Sequence, residues 1–220
     1  MKKILLSVEG QTEEEFVLGV LRPHFEPECY LQPVVLKTSR SPHGQAHKGG
    51  VSTYSRIRED VRRLCHDTSA VVVSTMYDFY GLPKDFPGLQ RIQPQWSSLQ
   101  KVEFLESEFK QDIGDARFIP YLSLHEFEAL LFSDREQLVS FLKQQGVRKG
   151  EVDTLKAVAS PPEDIDSERP PSKRIQSVFA GYQKVLHGIL IAQRIGIETM
   201  LQQCPHFRQW VDSLQRRCLD

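Results

Sequence analysis

Four short apolar runs punctuate the first half of the chain, with amphipathic stretches between them. Residues 4–8 are almost wholly apolar and stop abruptly at Glu9-Gly10. A continuous run of this length, bounded by a turn residue, predicts a buried strand. Residues 33–36 predict a second strand. Residues 71–76 predict a third, which runs out at Tyr77-Asp78-Phe79-Tyr80-Gly81, and residues 117–123 a fourth. The spacers carry the other periodicity. Thr12 and Glu15 stand at capping-box spacing, Phe16, Val17, Val20 and Leu21 make one helical face, and Pro23 predicts where that helix closes. Residues 52–66 predict a helix with Ile57, Val61 and Leu64 inward, and residues 96–110 another. The order β-α-β-α-β-α-β implies an α/β fold, a parallel sheet of about four strands with helices on both faces.

Beyond Leu124 the strand signal disappears. Helices are predicted over 125–132, 135–145, 150–159 and 205–217, and over 172–202 with a break at Gly181 or Gly188. A proline- and acid-rich stretch, 161–171, lies among them. The expected organisation is an α/β core over 1–132 and a helical extension over 133–220 packed on it.

Composition adds limits. A length of 220 residues, 40% hydrophobic and 26% charged, suits one large globular unit. The net charge of −1 points to no partner by itself, but residues 37–66 hold seven bases against two acids, a candidate phosphate-facing patch or simply a solvated helix face. Residues 38–50 read as a basic loop without periodicity. Cys29, Cys65, Cys204 and Cys218 show no zinc spacing and are expected to be reduced thiols in a cytoplasmic protein. The apolar run after Met1-Lys2-Lys3 ends too early for a signal peptide, and no run is long enough to span a bilayer, so no membrane partner is expected.

The chemistry concentrates at strand ends. In open parallel sheets ligands bind beyond the carboxyl ends of the strands. Glu9 and Asp78 are delivered there by two different strands, and a following Gly10 frees the backbone beside Glu9. An exposed loop carboxylate and a turn aspartate are the alternative readings of each taken singly. A third cluster, His125-Glu126-Phe127-Glu128, follows the fourth strand. Glu126 and Glu128 face different directions on a helix, so either Glu126 enters the site from the helix start, or Glu128 does with His125. Hard cations such as Mg²⁺ take carboxylate oxygens and keep several waters, so acids from separate strand ends suffice. Lys37, Arg40, Lys48 and Lys184 are candidate nucleic-acid contacts. The sequence has no P-loop, nucleophile elbow or GxGxxG.

These motifs resemble a known family. A strand ending in Glu9-Gly10 with Thr12-Glu13 after it, then a strand ending in Asp78, resembles a Toprim domain. The fuller set is closer to a bacterial Toprim-like family carried as a domain of unknown function: Val8 to Glu13, Asp78 to Pro83, Phe86-Pro87-Gly88, the His125 to Asp134 string, Lys184 with Gly188, and Cys204-Pro205-His206-Phe207 before Trp210. The OLD-type nucleases and the effector nuclease of the PARIS anti-phage system are in this neighbourhood. The resemblance implies a Toprim-like sheet, Mg²⁺ or Mn²⁺, and cleavage of RNA or DNA in an anti-phage or toxin role. It implies Glu9, Asp78 and Glu126 as catalytic, these three with Glu128 as metal ligands, and Gly10, Thr12, Glu13, Tyr80 and His125 as supporting residues. Tyr80 stands where a second Toprim aspartate is expected, so Glu126 or Glu128 would replace it. A partner ATPase and a homodimer are further expectations, and a binding module without catalysis is the alternative.

Overall fold

The computed structural model describes residues 1–36, 53–165 and 168–219. Among them are a parallel sheet of five strands and ten α-helices. The basic loop, with Lys37, Arg40 and Lys48, lies outside the described residues.

Strands β1 (Lys2–Val8) and β3 (Ala70–Asp78) are central, in the order β2-β1-β3-β4, with β5 also on β3. Strand β2 (Cys29–Val35) starts four residues before the sequence places it. It pairs only with β1, and an edge position tolerates Pro33, which has no N–H to give the ladder. The predicted fourth strand is two pieces, β4 (Phe118–Ile119) and β5 (Leu122–Ser123), both parallel to β3. Pro120 separates them. Across the gap the Thr75 hydroxyl stands in for a ladder pair, donating to the Tyr121 carbonyl (3.1 Å) and accepting from the Tyr121 N–H (3.0 Å).

Alternation along the strands sorts the core into two layers. On one face Leu5, Val73 and Tyr77 pack with Ile57, Val61 and Leu64 of α3 (Tyr54–Cys65) and Val102, Leu105 and Phe109 of α4 (Ser98–Ile113). Helix α4 begins at a Ser97–Gln100 capping box and stops at Gly114, whose φ of 74° lies in the left-handed region that glycine adopts freely. On the other face Ile4, Leu6, Val8, Val72 and Met76 pack against the first helical run and most of the C-terminal helices, so one apolar cluster draws on both halves of the chain.

The first helical run differs from expectation. Helix α1 (Gln11–Phe16) follows β1 so closely that Gly10 is its N-cap, and Thr12 lies buried inside the first turn without capping it. Pro23 does not close the run. A π-helical turn, Val17–Leu21, runs directly into α2 (Arg22–Phe25), and Pro23 lies inside this continuous helical run, two residues before its end.

After β5 comes a 3₁₀ segment, Phe127–Ser133. It is followed by α5 (Arg135–Gln144), α6 (Lys149–Lys156) and α7 (Pro171–Val178). A π-helical turn, Lys184–Gly188, leads into α8 (Ile189–Ile195), then α9 (Ile197–Gln203) and α10 (Pro205–Leu219). The long predicted helix is broken around Gly181 and at Gly196, and Gly188 lies within a helical turn. Among the described residues no helix is long and apolar enough to cross a membrane.

The thiol expectation needs correction. Cys29 is bonded to Cys218, Cα atoms 5.8 Å apart, and only Cys65 and Cys204 are free. The partners are 189 residues apart in sequence, and they meet because α10 runs back to the start of edge strand β2, a closeness that cysteine spacing does not encode.

Helix α10 is anchored to the sheet through Trp210. Its ring stacks on Tyr121 (4.3 Å between centroids, 15° between planes), and its Nε1–H donates to Ser74 Oγ (2.9 Å), which donates to the Ile119 carbonyl. Losing a buried hydrogen bond of this kind costs about 1–3 kcal/mol. Trp210→Phe should therefore lower unfolding free energy in urea by about that amount, and by clearly less in a Ser74→Ala background. Equal losses in both backgrounds would show that the bond does not anchor the helix.

Candidate functional site

The site is built by strand register. Val8 pairs with Met76 across β1 and β3, so the residues just beyond emerge side by side at the carboxyl rim. There the Asp78 N–H donates to Glu9 Oε1 at 2.7 Å. The chain after β3 turns through a 3₁₀ segment, Phe79–Gly81, and folds over this carboxylate: a Cβ on Gly81 would lie 3.5 Å from both Glu9 oxygens.

The C-terminal half supplies the other wall. Lys184 Nζ lies 3.3 Å from Glu128 Oε2 and 3.7 Å from Glu13 Oε1. The Tyr182 hydroxyl donates to Glu128 Oε1 (3.4 Å), and the missing side chain of Gly188 makes room for it, since a Cβ there would meet that hydroxyl at 2.8 Å. Glu13 is buried, so its part exceeds the helix-end role that its position suggests. Glu128 is fully buried and joins the acidic group. Glu126 turns the other way and accepts the Ser172 N–H at the start of α7 (3.1 Å). Of the two alternatives, then, Glu128 comes into contact with Lys184, while His125 stacks against Tyr80 (5.7 Å, 26°).

Electrostatics set this cluster apart. Burial is the main cause that lifts the Glu9 carboxyl to about 7. Its bond from Asp78 N–H and the Lys184 charge oppose the lift, and Glu13 adds to it. Burial, then repulsion from Glu9, pushes the Asp78 carboxyl well above the ordinary range. Glu128 is also raised, by burial first. Burial works against the Lys184 ammonium, yet Glu128, Asp78, Glu13 and Glu126 together raise its pKa. One lysine thus serves as counter-ion to several carboxylates and leaves excess negative potential between Glu9 and Asp78.

Residues 8–215 match a family model described as a domain of unknown function, DUF4276. The chain belongs to this family. Every motif quoted for the resemblance lies inside the matched span, so the DUF4276 match covers the site and the C-terminal helices that complete it. No curated protein and no solved structure matches the chain.

In this DUF4276 chain, among the described residues, no group of three or more His, Cys, Asp or Glu side chains is arranged to enclose a metal ion. The donor set that remains, Glu9 with Asp78 at the carboxyl rim, fits a cation that takes few protein ligands, as Mg²⁺ does with one or two carboxylates. Lys184, a candidate phosphate contact in the sequence, is engaged with Glu13 and Glu128. Along the basic stretch, Arg58 pairs with Asp112 (2.7 Å) and Arg63 with Asp60 (2.9 Å), so those charges are balanced locally. Sequence reading missed Tyr182, which has neither a charge nor a periodicity to mark it, and placed Gly81 only as part of the Asp78 to Pro83 motif.

The raised Glu9 carboxyl has a consequence for stability. The folded protein holds that proton more tightly than the unfolded chain, whose value is near 4.5. The group's contribution is therefore complete below about 4.5 and is lost as pH rises through about 7. Glu9→Gln keeps an acceptor for Asp78 N–H and cannot ionise. In chelator, Glu9→Gln should match wild type in urea unfolding at pH 4.5 and exceed it by about 1–2 kcal/mol at pH 8, allowing for solvent at the rim. A pH-independent difference would show that Glu9 is not held in a charge-averse environment.

Proposed function

We propose that this protein is a metal-dependent nuclease that cleaves phosphodiester bonds in RNA or DNA, with Mg²⁺ or Mn²⁺ as its cofactor. The observation that supports this most is the Glu9–Asp78 pair at the carboxyl rim of a parallel sheet, tied by the Asp78 N–H to Glu9, both carboxyls raised chiefly by burial and that of Asp78 further by Glu9, with the nearby lysine already committed to Glu13 and Glu128. Such a pair is stabilised by a cation. The resemblance to Toprim nucleases, carried by Glu9-Gly10, Thr12-Glu13 and Asp78, leads to the same reading, and an anti-phage or toxin role follows from that resemblance.

Glu9 and Asp78 would hold the ion, and Glu128 would act through Lys184. A divalent cation there supplies charge neutralisation for the phosphodiester and acidifies a bound water. The protein's own residues do the rest. The Asp78 N–H fixes the orientation of the Glu9 carboxylate, and one of the rim carboxylates would relay the proton. Lys184 holds Glu128 and Glu13 in place and places one positive charge beside them. Glu126, bonded to Ser172 N–H, holds α7 against the 3₁₀ segment and has a positioning part in this scheme.

A second reading is supported by the small donor set: a module that binds nucleic acid, a partner ATPase or a second copy of itself without cleaving anything. One experiment separates the two. Labelled RNA and DNA, single-stranded and duplex, are incubated with the protein in Mg²⁺ or Mn²⁺ and again with chelator. The nuclease reading requires cleavage that stops with chelator and falls by about 10²-fold or more in Glu9→Gln and in Asp78→Asn. Equal cleavage by wild type and the double variant would defeat it, as would salt-sensitive binding by both with no cleavage of any polymer.

A further inference from the structure

Tyr80 is the one exposed aromatic side chain among the described residues, 54% accessible. A single exposed apolar residue ordinarily carries no message. Three features distinguish this one. Its ring is braced, lying nearly parallel to His125 (5.7 Å, 26°) and tilted against Phe79 (5.0 Å, 48°). His125 is itself buried, so the support beneath the ring is fixed. And the backbone beside it is part of the site: Gly81, the next residue, packs against both Glu9 oxygens, and Asp78, two residues before, donates its N–H to Glu9.

We infer that the Tyr80–His125 stack is a platform for one unpaired nucleobase, and that the substrate is therefore single-stranded or looped nucleic acid rather than a continuous duplex. The inference rests on the nuclease reading of the same site and narrows its substrate class. A flat ring with one side backed and the other in solvent offers its free side to any base, because every base has a π-face. Inside a duplex those faces are covered by neighbouring pairs. Bracing removes the side-chain entropy that an unsupported tyrosine would lose on binding, so the stack begins pre-organised. A base held on Tyr80 would bring its own phosphate to the rim where Glu9 and Asp78 stand.

The test uses 12-nucleotide RNA and DNA strands containing one 2-aminopurine, free or annealed to a complement, with the full-length protein in Ca²⁺. Wild type should bind the single strands more tightly than the duplexes and quench the 2-aminopurine emission on stacking. Tyr80→Ala should weaken single-strand binding about 5- to 100-fold and abolish the quenching, while leaving duplex binding unchanged. Tyr80→Phe, which keeps the ring, should bind and quench like wild type. Unchanged single-strand affinity in Tyr80→Ala, or Tyr80→Phe behaving like Tyr80→Ala, would overturn the platform and leave the nuclease reading standing. Wild type binding neither form would overturn both.

Discussion

The parallel pairing of β1 with β3 is the constraint on which the rest of the molecule depends. It buries an apolar run on each strand and fixes their register, Val8 against Met76. Once that register is set, the chain cannot avoid bringing Glu9 beside Asp78. The Asp78 N–H, no longer needed by the ladder at the strand's last residue, is satisfied by the Glu9 carboxylate instead. An element of sheet construction therefore becomes the geometry of the site, and hydrophobic burial in the two layers stabilises a charge arrangement that is unfavourable by itself.

That unfavourable arrangement explains why the C-terminal helices matter. Glu9, Glu13 and Asp78 from the first half of the chain and Glu128 from just after β5 gather at one rim, and the residue that balances them, Lys184, comes from a π-helical turn far along the sequence. Tyr182 and Gly188 fit that turn against Glu128. Trp210 fastens α10 to the sheet through Ser74 and Tyr121. The helices after β5 thus hold the counter-ion in position and close the second apolar layer.

Much of this was legible in the sequence, for definite reasons. Short continuous apolar runs marked β1 and β3, and the alternation of strands with amphipathic helices pointed to the parallel sheet. Placing Glu9 and Asp78 at strand ends required nothing more. The elements read poorly were those decided by contacts distant in sequence. Pro120 split a strand whose composition is continuous, because Thr75 could supply the missing bonds. Thr12 has the spacing of a cap, but the short link from β1 moved the helix start to Gly10. Glu126 and Glu128 were indistinguishable until α7 and Lys184 took one each. Cys29 and Cys218 are joined only because the last helix returns to the edge strand.

The central claim is that the Glu9–Asp78 rim is a cation site whose negative potential Lys184 only partly offsets. A crystal soaked in Mn²⁺ and measured at the manganese absorption edge tests it directly. The account predicts an anomalous peak in contact with both the Glu9 and Asp78 carboxylates, with Lys184 still against Glu128 and Glu13. A map with no peak at that rim, and the Lys184 ammonium moved between Glu9 and Asp78 in its place, would contradict it.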